Sequence, residues 1–176
     1  EAFSHPGKPI GPWFESAQAR TIAGAGIDLV YDKDGRGRRV VASPRPLAII
    51  EQDIIRQLLD LGIIVIAAGG GGIPVVEQDG QLQGVEAVVD KDLASAMLAE
   101  GIGAEQLVLV TGVPGAYTDF ATDNARLIGR TSPDELATWL SQGHFAPGSM
   151  GPKVEAAMQY VRATGKRAVI CQPADL

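Results

Sequence analysis

Three aliphatic runs limit what this chain can become: Ile63-Ile64-Val65-Ile66-Ala67-Ala68, Leu107-Val108-Leu109-Val110 and Ala168-Val169-Ile170-Cys171. None alternates with polar residues, so none reads as a strand with one wet face. Each reads as a central strand covered on both sides. Helical spacing lies between them. Ile49, Ile50, Ile54, Ile55, Leu58 and Leu59 share a face, and Gly62 closes that helix. A second helix opens at Asp92 and runs to about Gly101. Ser132-Pro133-Asp134-Glu135 starts a third, with Ser as N-cap, Pro at the first helical position and Glu as the capping-box partner. Residues 154–164 form a fourth, ended by Gly165. Aromatics are 5% of a chain that is 45% hydrophobic, so the core must be aliphatic. The pattern predicts an α/β sandwich around a mainly parallel sheet, with ligands at the carboxyl ends of the strands.

The first 45 residues have another character. Pro6, Pro9 and Pro12 make residues 1–14 a stiff, semi-extended loop that carries Lys8, with Trp13 and Phe14 as anchors. A short helix over residues 15–25 follows. Residues 27–31 and 39–42 then flank the polar tip Asp32-Lys33-Asp34-Gly35-Arg36-Gly37 as a β-hairpin. Ser43-Pro44-Arg45-Pro46 is a non-helical hinge. Residues 1–45 are expected to form a small protruding β-hairpin subdomain, and residues 46–176 the α/β core. Within the core, Asp79-Gly80 marks a second hairpin that returns through residues 85–89, and Leu127-Ile128 a short strand.

Charge excludes some functions. Twenty-one acidic residues against 15 basic ones give a formal net charge of -6. Such a chain has no bulk attraction for nucleic acid or for an anionic membrane. Any anion it holds must be held by a few placed lysines. The single cysteine, Cys171, cannot form an internal disulfide and lies in an apolar run, which suits a reducing cytoplasm. No stretch approaches the length of a membrane span, and no signal peptide is visible. His5 and His144 lack ligand spacing, so no protein-held metal is expected.

The placed lysines stand out against this background. Val88-Val89 runs into Asp90-Lys91-Asp92, which opens directly into a helix. Helix starts favour anions; a lysine there adds a point charge, and a neighbouring carboxylate fixes it. The plainer alternative is an acidic N-cap beside a solvated lysine. Gly69-Gly70-Gly71-Gly72 ends the first aliphatic run and lets backbone amides approach a ligand, or serves as a flexible turn. Lys153 stands at a helix start beside Gly148 and Gly151, where the helix dipole disfavours a cation. Lys8, Lys91 and Lys153 with Asp92 suit phosphoryl transfer, which needs positioning and charge neutralisation more than covalent chemistry.

On these segments the chain resembles carbamate kinase, of the amino acid kinase superfamily. The segments are Lys8-Pro9-Ile10-Gly11-Pro12, Ser43-Pro44-Arg45-Pro46, Gly69-Gly70-Gly71-Gly72-Ile73-Pro74-Val75, Gly84-Val85-Glu86-Ala87-Val88-Val89-Asp90-Lys91-Asp92-Leu93-Ala94 and Gly148-Ser149-Met150-Gly151-Pro152-Lys153. The resemblance implies a three-layer αβα fold with a protruding subdomain. It implies a magnesium-dependent exchange of ATP and carbamate for ADP and carbamoyl phosphate, and a homodimer in the cytoplasm. Lys91 and Lys153 would hold the phosphates, Asp92 would orient them, and Lys8 would reach down from the subdomain. Gly70 and Gly71 would line the carbamate side. Thr111, Val113, Tyr117 and Met150 would border the nucleotide, with Mg2+ carried on its phosphates.

Two departures qualify the resemblance. Thr111-Gly112-Val113 stands where the superfamily has Thr-Asp-Val, which removes a carboxylate near the nucleotide. The family's N-terminal half, with its first strands and a Gly-Gly-Asn loop, has no counterpart here. Three readings follow: an ATP:carbamate phosphotransferase seen in part, another small-acid kinase of the superfamily, or a truncated, non-catalytic chain that binds nucleotide or a partner. Uncovered strand edges predict association, either as a homodimer or with the missing N-terminal half.

Overall fold

The computed structural model describes residues 2–176, and they fall into two compact units. One comprises residues 2–45 and Gly72–Asp90; the other comprises Pro46–Gly71 and Lys91–Leu176.

In the first unit a three-stranded antiparallel sheet is built from β1 (Lys8–Phe14), β2 (Leu29–Tyr31) and β3 (Gly37–Val41), in the order β1-β3-β2. Helix α1 (Ser16–Gly24) connects β1 to β2. Residues 8–14 are therefore a strand and not the stiff, semi-extended loop expected from their prolines. Pro9 and Pro12 are tolerated because β1 is an edge, and its register with β3 shifts between Pro9 and Trp13. Trp13 anchors no core either. It is 42% exposed, and the guanidinium carbons of Arg36 and Arg38 each lie 5.9 Å from its ring centroid.

The unit also takes in residues 72–90, beyond the boundary expected at residue 45. Val88 N–H donates to Ala42 O at 2.9 Å, and Ala42 and Ala87 form a parallel bridge. Hairpin β4 (Val75–Gln78) and β5 (Gln81–Gly84) turns at Asp79-Gly80, where both residues have positive φ, 52° and 75°. That conformation is why Asp-Gly serves here.

The second unit holds α2 (Gln52–Asp60), α3 (Lys91–Gly101), β6 (Gln106–Val110), the short antiparallel pair β7 (Tyr117–Thr118) and β8 (Arg126–Leu127), α4 (Pro133–Ser141), α5 (Met150–Thr164) and β9 (Arg167–Cys171). β6 and β9 pair in parallel, from Gln106 opposite Arg167 to Val110 opposite Cys171. One face of the pair is packed by α3 and α5 through Leu93, Ala96, Ala99, Leu107, Leu109, Ala156, Ala157 and Tyr160. The small residues on the two helices let them approach closely. Tyr160 is fully buried, and its hydroxyl donates to Ala104 O at 2.5 Å. A second cluster joins Ala116, Phe145, Val154 and Met158 to the apolar side of α4.

Two expectations about the strands fail here. Val108 and Val110 are exposed while Leu107 and Leu109, on the opposite face, are buried, so β6 is covered on one face only. Residues 63–68, expected as a central strand, form no strand at all; Ile64 is 92% exposed and Ile66 98%. A strand needs a hydrogen-bonded neighbour, and among the described residues none pairs with this run. The parallel sheet of the unit is thus the β6–β9 pair alone. Among the described residues no helix is long and apolar enough to cross a membrane.

The start of α4 is as expected. Ser132 Oγ accepts from Glu135 N–H at 3.3 Å, and Glu135 accepts from Ser132 N–H at 3.0 Å. The Ser132 N–H, the Thr131 hydroxyl and the Ser132 hydroxyl all donate to the Glu135 carboxylate and hold it below its usual range. Because that value is lowered by folding, the cap contributes fully near neutral pH and is lost as pH falls through it. Ser132→Ala is expected to cost about 1 kcal/mol, read as a lower urea midpoint with an unchanged m-value.

Candidate functional site

Helix α3 leads through residues 102–105 into β6, and α5 leads through Gly165 and Lys166 into β9. Each helix therefore runs antiparallel to the strand it feeds. The N-termini of both helices lie at the carboxyl ends of the parallel strands, where α/β sheets bind ligands.

Two charged side chains meet there. Asp92 lies in the first turn of α3 and Lys153 in the first turn of α5. Lys153 Nζ donates to both carboxylate oxygens of Asp92, at 2.9 and 2.8 Å. Both residues are buried, at 7% and 8% exposure. The helix start favours the Asp92 carboxylate and disfavours the Lys153 ammonium, so the pair offsets an unfavourable placement of the lysine. Helix α5 begins at Met150, earlier than the 154–164 expected, and this puts Lys153 inside the helix. Pro152 fits its first turn because its missing N–H has no helical acceptor there.

The other expected residues of this unit each have their own local setting. Lys91 is the exposed first residue of α3. Gly69–Gly71 is one tight turn packed on α3, with Gly71 N–H donating to Ala68 O at 3.0 Å. Gly70 has φ 66° and Gly71 φ 107°, a backbone that residues with a Cβ rarely adopt. Thr111 continues the β6–β9 ladder, its N–H donating to Cys171 O at 2.8 Å. Val113 and Tyr117 are half-buried, and the Tyr117 ring lies 5.7 Å from that of Phe120. Met150 opens α5 and packs on the second apolar cluster. A cleft of about 710 Å³ lies elsewhere, along β9 and the C-terminal part of α5 from Ala157 to Gly165, and none of these residues lines it.

Lys8 belongs to the first unit. Its Nζ donates to Asp90 Oδ2 at 2.5 Å, and Asp90 is 7% exposed. Sequence reasoning gave Asp90 no role of its own. The available signal was its place directly after Val88-Val89, which carries an acidic residue into the buried interior.

Among the described residues no three His, Cys, Asp or Glu side chains are grouped to hold a metal. His144 instead takes a local part, with Nδ1 3.2 Å from Asp119 Oδ1.

The chain matches the amino acid kinase family over residues 15–172. It is 47% identical over 171 residues to a carbamate kinase of Lentilactobacillus hilgardii, covering 96% of this chain and 54% of that protein. It resembles a solved structure from Aeropyrum pernix K1 with a TM-score of 0.90 and 45% identity, covering 99% of this chain and 56% of the other. A carbamate kinase from Giardia lamblia, solved bound to AMP-PNP, superposes with a TM-score of 0.83 and 40% identity, covering 97% of this chain and 55% of that one. The chain spans about half the length of the curated relatives it matches.

Proposed function

The chain belongs to the amino acid kinase family, and from that premise we propose that it forms part of an ATP:carbamate phosphotransferase, which interconverts ATP and carbamate with ADP and carbamoyl phosphate. The observation that carries this reading is the buried Lys153–Asp92 pair between two helix N-termini. A buried ion pair contributes little net stability compared with apolar side chains of the same volume. Its value at this position is chemical: a fixed ammonium at the carboxyl ends of the strands.

In the proposed reaction a carbamate oxygen attacks the γ-phosphorus, and the bond to the β,γ-bridging oxygen breaks. ADP leaves with the electron pair, and no proton has to move, since carbamate is already an anion. Negative charge shifts onto the phosphoryl and bridging oxygens. The Lys153 ammonium neutralises it, Asp92 holds that ammonium in place, and Lys91 supplies a second, mobile cation. Gly70 and Gly71 offer backbone amides on the carbamate side. Thr111, Val113, Tyr117 and Met150 are assigned to the nucleotide; a relative from Giardia lamblia is solved bound to AMP-PNP. Mg2+ would come with the nucleotide, held by phosphate oxygens and water, and would neutralise charge there. The donor set fits that arrangement, since Asp92 is engaged by Lys153 and position 112 is Gly. The charge balance and the lone buried thiol suit a cytoplasmic enzyme.

The proposed partner is the polypeptide that supplies the part of the fold for which the relatives have sequence and this chain does not. The exposed aliphatic run 63–68 supports it. The same run favours the second reading, a nucleotide-binding chain without turnover of its own. ATP formation from ADP and carbamoyl phosphate, followed with luciferase, separates the two. The assay is run on this chain and on the longest natural polypeptide that contains it. Turnover in the longer polypeptide is the expected result, and nucleotide binding without turnover in both leaves only the second reading.

A further inference from the structure

We propose that the free edge of β9 is a docking site for another polypeptide, which adds an extended, acidic segment to the β6–β9 sheet as a third strand. The edge lies wholly within the second unit, and its use does not depend on the phosphotransferase reading. Thr111 N–H donates to Cys171 O, so the backbone groups of Cys171 face β6. Those groups alternate from side to side along a strand. Arg167 and Val169 therefore face β6 as well, and Ala168 and Ile170 face away. β9 pairs with β6 alone, and among the described residues no hydrogen bond satisfies the backbone N–H and C=O of Ala168 and Ile170. Such groups are a template for an added strand.

This edge does not look onto open solvent. It lines the cleft of about 710 Å³, with Ala157, Met158 and Val161 of α5 and the apolar side chains of Ile128 and Leu136. At the end beside Ile170 the chain closes in, and a Cβ on Gly115 would stand 3.4 Å from Ile170 O. An unpaired strand edge beside an apolar floor suits strand addition. Backbone hydrogen bonds hold the incoming segment, and every second side chain enters the floor.

Charge names the kind of segment. Arg130, Lys166 and Arg167 line the cleft and no Asp or Glu does, in a chain of net charge -6. Arg130 has no partner among the described residues. Lys166 Nζ donates to Gly103 O and Ala104 O at 2.8 and 2.9 Å, and Arg167 donates to Gln106 Oε1 at 2.7 Å, so neither charge is neutralised. The carboxylates next along the chain are engaged elsewhere: Asp134 by Arg162 at 2.8 Å, and Glu135 by the cap of α4. A small amphipathic anion would meet the cations and leave the backbone of Ala168 unmet. A second copy would offer its exposed run 63–68, which holds no acidic residue and does not match this rim.

Isothermal titration calorimetry on the 176-residue chain tests the edge with two blocked peptides, Glu-Glu-Val-Thr-Val-Thr-Val and Val-Thr-Val-Thr-Val-Glu-Glu, one for each strand direction. At least one should bind, and no heat from either up to about 1 mM overturns the proposal. N-methylation of the valines alone, or of the threonines alone, blocks one edge of the peptide. At least one of these forms should bind about tenfold or more weakly, the scale of one or two lost backbone hydrogen bonds. If both bind as the parent peptide does, the occupant is not a strand. Arg130→Glu changes an exposed, unpartnered side chain, and should weaken binding about fivefold or more at low salt; unchanged binding removes the acidic preference. Octanoate that binds where neither peptide does assigns the cleft to a small anion and overturns the proposal. So does a dimer in sedimentation equilibrium that the peptides disperse, which gives the edge to a second copy.

Discussion

In the longest natural polypeptide that contains this chain, the phosphotransferase reading makes Lys153→Met slow ATP formation from ADP and carbamoyl phosphate by roughly 10³-fold, the scale on which a single fixed cation or oxyanion donor acts in phosphoryl and acyl transfer. Two effects are combined in that substitution. It removes the ammonium, and it also leaves the Asp92 carboxylate buried without the cation that it binds through both oxygens. Breaking a buried pair from one side costs about 3–5 kcal/mol, enough to unfold a marginal domain and mimic a catalytic loss. The double variant Asp92→Asn/Lys153→Met separates the two. It removes both charges from the same place, so its urea midpoint should return close to that of the parent. Its activity should stay at the level of the single variant. Urea unfolding and luciferase-coupled rates on the three proteins are sufficient. Recovery of turnover in the double variant, or a single variant above a tenth of parental activity, removes Lys153 from the chemistry.

How much of this was legible beforehand depended on how local the physics was. The capping box at Ser132 and Glu135 and the Asp79-Gly80 turn are complete within four residues, and both formed as read. The resemblance to carbamate kinase and to its fold class also stood, since the motifs that carry it are contiguous. What failed depended on partners far away in sequence or on a neighbour that no described residue supplies. Pro9 and Pro12 spoke against a strand, but an edge position and a register shift accommodate them. Residues 63–68 have the composition of a central strand and no neighbour to make them one. The early start of α5 was hidden by Gly148, Gly151 and Pro152, which read as loop until the fold gives Pro152 a first-turn position. Lys153 and Asp92 were each singled out from the letters. Their bond to one another spans 61 residues, and spacing alone could not have foretold its two-oxygen geometry. Asp90 was passed over because three alternating charges look like a solvated helix start, and only the β1–β3 sheet shows that the first of them faces inward toward Lys8.

Replacing Ile64 and Ile66 together by Lys is expected to weaken capture of the portion of a relative that this chain does not match by about 10²- to 10⁴-fold. Both side chains are almost fully exposed, in a run whose composition is that of a strand buried on two faces. Burying an isoleucine contributes about 1.5–3 kcal/mol, so two contribute about 3–6 kcal/mol, and each 1.4 kcal/mol is a factor of ten in Kd. Charge at these positions acts further by blunting an open strand edge. The measurement is a titration of this chain with the portion of the Lentilactobacillus hilgardii relative that it does not match, followed by sedimentation velocity. The parent chain should form a one-to-one complex, and the double-lysine variant should sediment as a separate species at the same concentrations. Leu82→Lys, an exposed leucine on the β4–β5 hairpin, serves as a control for the added charge and should leave the complex intact. If the parent chain forms a symmetric homodimer that the two lysines dissolve, the surface belongs to a second copy instead. If it stays monomeric and ignores the added polypeptide, the run is not a docking edge, and the exposed isoleucines need another explanation.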